Sequence, residues 1–223
     1  MKESCWQDYT PSHETSWHWR KMCHVKNTIK NGFLDDIGTG EYTVKGCYNW
    51  LRERNEELNW YNSVWYPTAA PKHSFIAWLI ANQALRLKDR LFSYNVVPDN
   101  LCCICALATE SHIHLFQECL YTKQVLQKVD AELGAHLGPS NQLQQIKRRR
   151  WSRMRKVVTT AAIIAAWYTV WLQRNDAWLN HRLLSPSVVA RQIIASLRNR
   201  LRTCFVKSIS YKDGLWLSKV HLM

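Results

Sequence analysis

The stretch from Leu101 to Cys119, LCCICALATESHIHLFQEC, packs four cysteines and two histidines into nineteen residues. No other feature restricts the fold as strongly. Cys102 and Cys105 have two residues between them, eight more precede His114, and four separate His114 from Cys119. Zinc takes four nitrogen or sulfur ligands in a tetrahedron, and its sites commonly begin with such a tight cysteine pair. The pair makes a turn whose thiolates converge, and His114 and Cys119 would come from the start of a helix, about one turn apart. A Cys3His set leaves no open position for water, so the expected zinc is structural and its binding energy is folding energy. Cys103 competes with Cys102, although one intervening residue is too few for the usual knuckle. His112 competes with His114, and spacing does not choose between them. The bland alternative is a set of reduced core cysteines beside surface histidines.

The amino-terminal MKESCWQDYT has no apolar stretch behind its charges, so no secretory signal is expected and the cysteines should be reduced. The expected location is nuclear or cytoplasmic. Cys5, Cys23, Cys47 and Cys204 lie outside the cluster, Cys103 is spare within it, and all five read as small buried hydrophobes. Of the 223 residues, 47% are hydrophobic and twelve are Trp, ample for a packed core. Thirty Lys and Arg against seventeen acids give a formal charge of +13. A surplus of that size favours a polyanion, most simply RNA or DNA. The longest apolar run, Val157 to Leu172, is sixteen residues with two Trp, a Tyr and three Thr. A spanning helix needs about 20 mostly apolar residues, so a buried helix is expected and no membrane partner.

Helical periodicity dominates the rest. WHWR opens a helix running to about Lys30. IGTG (Ile37 to Gly40) reads as a tight turn and EYTV as a short strand. Val44, Cys47, Tyr48 and Leu51 then follow helical spacing. Pro71 suits the first turn of a new helix. Phe75, Trp78, Leu79, Leu85 and Leu91 form its apolar face to about Tyr94. Leu115 to Leu137 is expected to be helical, and GPSNQ marks the strongest boundary, at Gly138 to Gln145. A last helix from about Ser187 to Phe205 gathers Val188, Ile193, Ile194, Leu197 and Leu201 on one side. Trp50, Trp78, Trp167 and Trp171 sit at apolar positions and are expected in the core. The expected fold is mainly α: a helical domain with a short strand and turn element and a small Cys3His zinc-bound knuckle, followed by a C-terminal helical pair. Residues 1–40 form a polar, aromatic extension, 41–137 the zinc domain, and 146–223 the basic helical region.

KRRRWSRMRK, residues 147–156, carries seven basic residues in ten and no acid. Lys147, Arg148, Arg149, Arg150, Arg153, Arg155 and Lys156 can clamp phosphates, and Trp151 can stack on a base. The same run suits a nuclear localisation signal. The plainer reading is a solvated helix start, but unrelieved like charges point to a polyanion contact. FLDD, Phe33 to Asp36, imitates part of a polymerase active site, yet two-metal chemistry needs carboxylates from separate strands, and no third Asp is placed to supply one. No Ser/His/Asp or Cys/His catalytic arrangement emerges. The chain is expected not to be an enzyme and to have no small-molecule substrate.

SWHWRKM, IGTG, YTVKGCY, VWYPTAAPKHSFIAWL, KDRLF, CCIC, ESHIHLFQEC and AAWYTVWLQRN occur in that order. In this order they resemble the zinc-binding domain that follows the reverse transcriptase of plant non-LTR (LINE-type) retrotransposons. The resemblance favours His114, followed by Leu115 and Phe116, over His112. It departs from the family at CCIC, where C-P-x-C is usual, and at Gln127, near the place of a Trp. It implies a non-catalytic, zinc-stabilised module that holds RNA or DNA beside a polymerase. Two other readings stand beside that one: a zinc-stapled scaffold for a protein partner, and a decayed fragment without a selected role.

Overall fold

Apolar residues at helical spacing produce helices along most of the chain. The computed structural model describes residues 9–30, 64–65, 69–204 and 209–222. Residues 1–57 and 58–223 form two separate units. In the first, α1 (Trp17–Lys30) begins where the Trp19 N–H donates to Ser16 Oγ at 3.3 Å. Lys26 Nζ ties the helix back to the Tyr9 carbonyl at 2.6 Å. Cys23 is buried in this unit.

In the second unit, α2 (Pro71–Ala81) has its proline in the first turn, as expected. The helix does not run on to Tyr94. Asn82 turns its side chain back to the Trp78 carbonyl at 2.8 Å, and Gln83 adopts φ 51°. That left-handed residue ends the α-helical path. After a short irregular stretch, α3 covers Lys88–Ser93. Leu85 and Leu87 reach the core from the connection instead of from a helix face. Phe75 and Trp78 point outward, 50% and 37% exposed, so Trp78 is not the core residue its position implied.

The helix expected from Leu115 is split. A five-residue π turn, His114–Glu118, leads through Cys119 into α4 (Leu120–Leu133). Gly134, at φ 53°, closes α4 in the left-handed conformation that a residue without Cβ adopts at little cost. Next come α5 (Gln142–Arg148), α6 (Arg153–Asn180), α7 (Pro186–Cys204) and α8 (Tyr211–Lys219). The expected C-terminal pair is therefore joined by α8, which buries Leu217.

The apolar run 157–172 lies within α6 and is buried against α2, α4, α5 and α7. No described helix is long and apolar enough to cross a membrane. One hydrophobic cluster includes residues from Leu85 to Leu222, so the loop at 138–145 lies over a single shared core and does not divide it. Trp167 and Trp171 are half-buried against it. The turn at Ile37–Gly40, the strand at EYTV, the helix after Val44 and Trp50 fall outside the described residues. Among the described residues, β pairing is confined to an isolated antiparallel bridge between Leu101 and Thr109.

Candidate metal centre

The knuckle is made by backbone geometry around the first cysteine pair. The Cys102 N–H donates to the Ala108 carbonyl and the Ala106 N–H to the Cys102 carbonyl, both at 2.9 Å. Ala106 sits at φ 54°, which reverses the chain just after Cys105. The other two donors come from the π turn. In an α-helix, five residues advance roughly 140° past a full turn, which would send His114 and Cys119 to different faces. Here the Cys119 N–H donates to the His114 carbonyl at 2.6 Å. That i to i+5 closure is the π pattern, and it brings the two side chains to the same side.

The donor atoms of Cys102, Cys105, His114 and Cys119 all lie within 4.8 Å of one another. A tetrahedron with Zn–S bonds near 2.3 Å has sulfur–sulfur edges of about 3.8 Å, so a small contraction closes the shell. Cys105 Sγ and His114 Nε2 are already 3.2 Å apart. Cys102 and Cys119 are fully buried and His114 is 8% exposed. A hydrogen bond between Cys102 and Cys119 pushes the Cys102 thiol up and pulls that of Cys119 down.

Position separates the rival candidates for the ligand set. His112 turns Nε2 to the Leu85 N–H at 3.2 Å and acts as a buried acceptor. Burial holds its imidazole below the usual histidine range. Cys103 lies outside the donor group, its thiol pushed up to about 11 by burial and by the neighbouring Glu110 carboxylate.

Residues 42–125 match the family described as zinc-binding in reverse transcriptase. That stretch is similar to the family, and it is less than half of the chain. No curated protein and no solved structure matches the chain. The match contains all four donors, and together they support one structural zinc ion per chain. The zinc-binding domain ends, by that match, within α4, so α5 to α8 lie beyond it.

A residue far beyond the match completes the knuckle. Glu110, wholly buried, accepts from Arg174 Nε at 2.9 Å and from Arg174 Nη2 at 2.6 Å, both through Oε1. Oε1 also takes the Lys88 N–H, and Oε2 takes the Cys103 N–H at 3.1 Å. The guanidinium lies 5.3 Å from the Trp171 ring and 4.4 Å from that of Trp178. Burial raises the Glu110 carboxyl, but the bonds and charge of Arg174 and the two backbone donors outweigh it and hold it below the usual carboxylate range. Sequence reasoning missed this pair. Its local signal was an arginine with Trp at i−3 and i+4.

The basic segment spans a break between α5 and α6. Lys147, Arg148, Arg149, Arg150 and Arg153 are exposed. Arg149 Nη2 donates to the His136 carbonyl at 2.7 Å, Arg155 Nη2 to that of Gly134 at 3.0 Å, and Lys156 Nζ to that of Lys147 at 3.0 Å. Trp151 is half-buried against the core, with the Arg155 guanidinium 4.3 Å from its ring. FLDD lies outside the described residues.

Proposed function

We propose that the chain is a non-catalytic, zinc-stabilised module that binds RNA or DNA, derived from the C-terminal region of a non-LTR retrotransposon polyprotein. The observation that carries this reading is the exposed set Lys147, Arg148, Arg150 and Arg153, held at a helix break on a scaffold stapled by the zinc knuckle. No acidic side chain pairs with these four among the described contacts. The formal charge of +13 adds a long-range attraction for polyanions. Zinc orders the scaffold, and the arginines contact phosphates without reading bases. Such a module works in the nucleus or cytoplasm, beside whatever enzyme acts on the nucleic acid.

A protein-interaction scaffold is the second reading, favoured by Phe75 and Trp78, which stack on the outside of α2 with ring centroids 5.9 Å apart. Titration of zinc-loaded protein with single-stranded and duplex oligonucleotides over a range of salt separates the two. Nucleic-acid binding should give log K falling linearly with log[salt], by about 0.7 per phosphate contact on single strands and 0.9 on duplex DNA. No saturable binding at low salt would remove the nucleic-acid reading and leave the scaffold.

A further inference from the structure

Ser152 is the one hydroxyl in KRRRWSRMRK. It is exposed, and residues 149–152 belong to no helix. The backbone there is extended, with φ −67° and ψ 145° at Arg149 and φ −58° and ψ 156° at Ser152. Arg148, Arg149 and Arg150 stand four, three and two residues before the serine, and Arg153 follows it. An extended, exposed serine behind a row of guanidinium groups fits the active-site cleft of a kinase that reads arginine with carboxylates, because such pairs are bidentate and directional. We infer that Ser152 is a phosphorylation site for an arginine-directed serine kinase, and that the phosphate loosens α8 while lowering the charge of the basic segment.

The step is an ordinary phosphoryl transfer from ATP. The Oγ–H bond of Ser152 breaks and an Oγ–P bond forms. The bond from the γ-phosphorus to its bridging oxygen breaks, ADP leaves, and the hydroxyl proton passes to the kinase's base. Nothing is oxidised or reduced.

The surroundings give the modification its consequence. Ser152 caps α6, its Oγ accepting from the Arg155 N–H at 3.1 Å. The same hydroxyl donates to Asp213 Oδ1. Asp213 belongs to the first turn of α8, and its other oxygen accepts from Ser210 Oγ, the cap of that helix, at 2.7 Å. The hydroxyl of Ser152 therefore clasps the starts of α6 and α8 through one carboxylate. A phosphate has no proton to give Asp213 and brings about two negative charges against it. Arg150, Arg153 and Arg155 lie close in sequence on the α6 side, and a helix N-terminus favours an anion. The phosphate thus stays with α6 and repels α8, whose Leu217 is packed in the core together with Leu222 just beyond the helix.

The charge effect on polyanion binding rests on the nucleic-acid reading above, whereas the modification and the clasp do not. Full-length, zinc-loaded protein is incubated with MgATP and the catalytic subunit of cyclic-AMP-dependent protein kinase, then mapped by mass spectrometry and hydrogen exchange. One phosphate should enter at Ser152. It should be lost in Ser152→Ala and slowed about tenfold or more in Arg150→Gln, the expected loss of one charge-assisted hydrogen bond to the kinase. The Arg150 variant leaves the Ser152 cap intact, so its result does not depend on the stability of Ser152→Ala. Phosphorylated protein should lose amide protection across 211–219 and keep it in the first turns of α6. On nucleic acid, its salt slope should shrink by about 1 to 2 units. No phosphate at Ser152, or phosphate with unchanged exchange in α8, overturns the inference. If phosphate enters and α8 loosens, but the unmodified protein binds no oligonucleotide, the proposed function fails and this inference stands.

Discussion

Arg174 Nη2 lies 2.6 Å from Glu110 Oε1, with side-chain exposures of 2% and 0%, and the two residues are 64 positions apart. The pair joins the zinc knuckle to the C-terminal part of α6. Removing one partner of a buried ion pair leaves an uncompensated charge and costs about 3–5 kcal/mol. Arg174→Met and Glu110→Gln should each destabilise the zinc-loaded protein by roughly that amount in urea denaturation, and both should weaken zinc retention against a chelator. The Glu110 carboxyl is held below its unfolded value, so its contribution is complete above about pH 4.3 and is lost as pH falls through the folded value. Losses under about 1 kcal/mol would mean that the pair behaves as a surface bridge.

Metal analysis of the purified chain should find one zinc. Cys105→Ser, Cys119→Ser and His114→Ala should lose it, whereas His112→Gln should retain it. Zinc retained in His114→Ala and lost in His112→Gln would exchange the two histidines' roles. Chelation of the native protein should raise hydrogen exchange first in 101–119 and then around Arg174, because Glu110 is carried by the knuckle. The binding energy of a structural zinc is folding energy, and uniform loss over α7 as well would show that no region of the core stands without it.

In the basic segment, phosphate contact and stacking separate cleanly. Changing Lys147, Arg148, Arg150 and Arg153 to Ala should flatten the salt slope by about 3 units, if all four touch phosphate. A wild-type slope in that variant would make this a solvated turn. Trp151 is packed between the core and Arg155, so Trp151→Ala should lower thermal stability by the equivalent of about 2 kcal/mol or more. A variant of unchanged stability whose single-strand affinity falls by about 1–3 kcal/mol would assign the ring to base stacking instead.

His73 packs on Tyr168 with ring centroids 4.5 Å apart, and Lys72 and Arg200 lie near it. Burial first, and then those two cations, lower its imidazole to about 4. The unfolded chain takes up the proton at higher pH than the fold does, so stability is present above about pH 6.5 and is lost as pH falls toward 4. The loss is on the order of 3 kcal/mol at most. Urea midpoints measured between pH 7 and 4 should fall less steeply in His73→Gln than in wild type. Parallel pH profiles would show that the imidazole titrates in the fold as it does in the unfolded chain.

The sequence by itself determined the type of ligand set, the mainly helical fold and the position of the basic run. All three are local: the donors lie within eighteen residues, a helix repeats its apolar face every turn, and a charge run needs no partner to be seen. Tertiary structure decided the rest. His114, which the resemblance already favoured, is set beside the cysteines by a π closure at Cys119, and the Leu85 N–H occupies the His112 imidazole. The helix from Pro71 stopped at Gln83 so that Leu85 and Leu87 could enter the core, and apolar periodicity does not register a single left-handed residue. Trp151 looked like a free stacking surface and proved to be packed, because burial depends on what α6 and α8 bring beside it. Glu110 and Arg174 read as ordinary charged residues. Only a fold that removes both from water makes them a pair, since the cost of burying either alone is what forces them together.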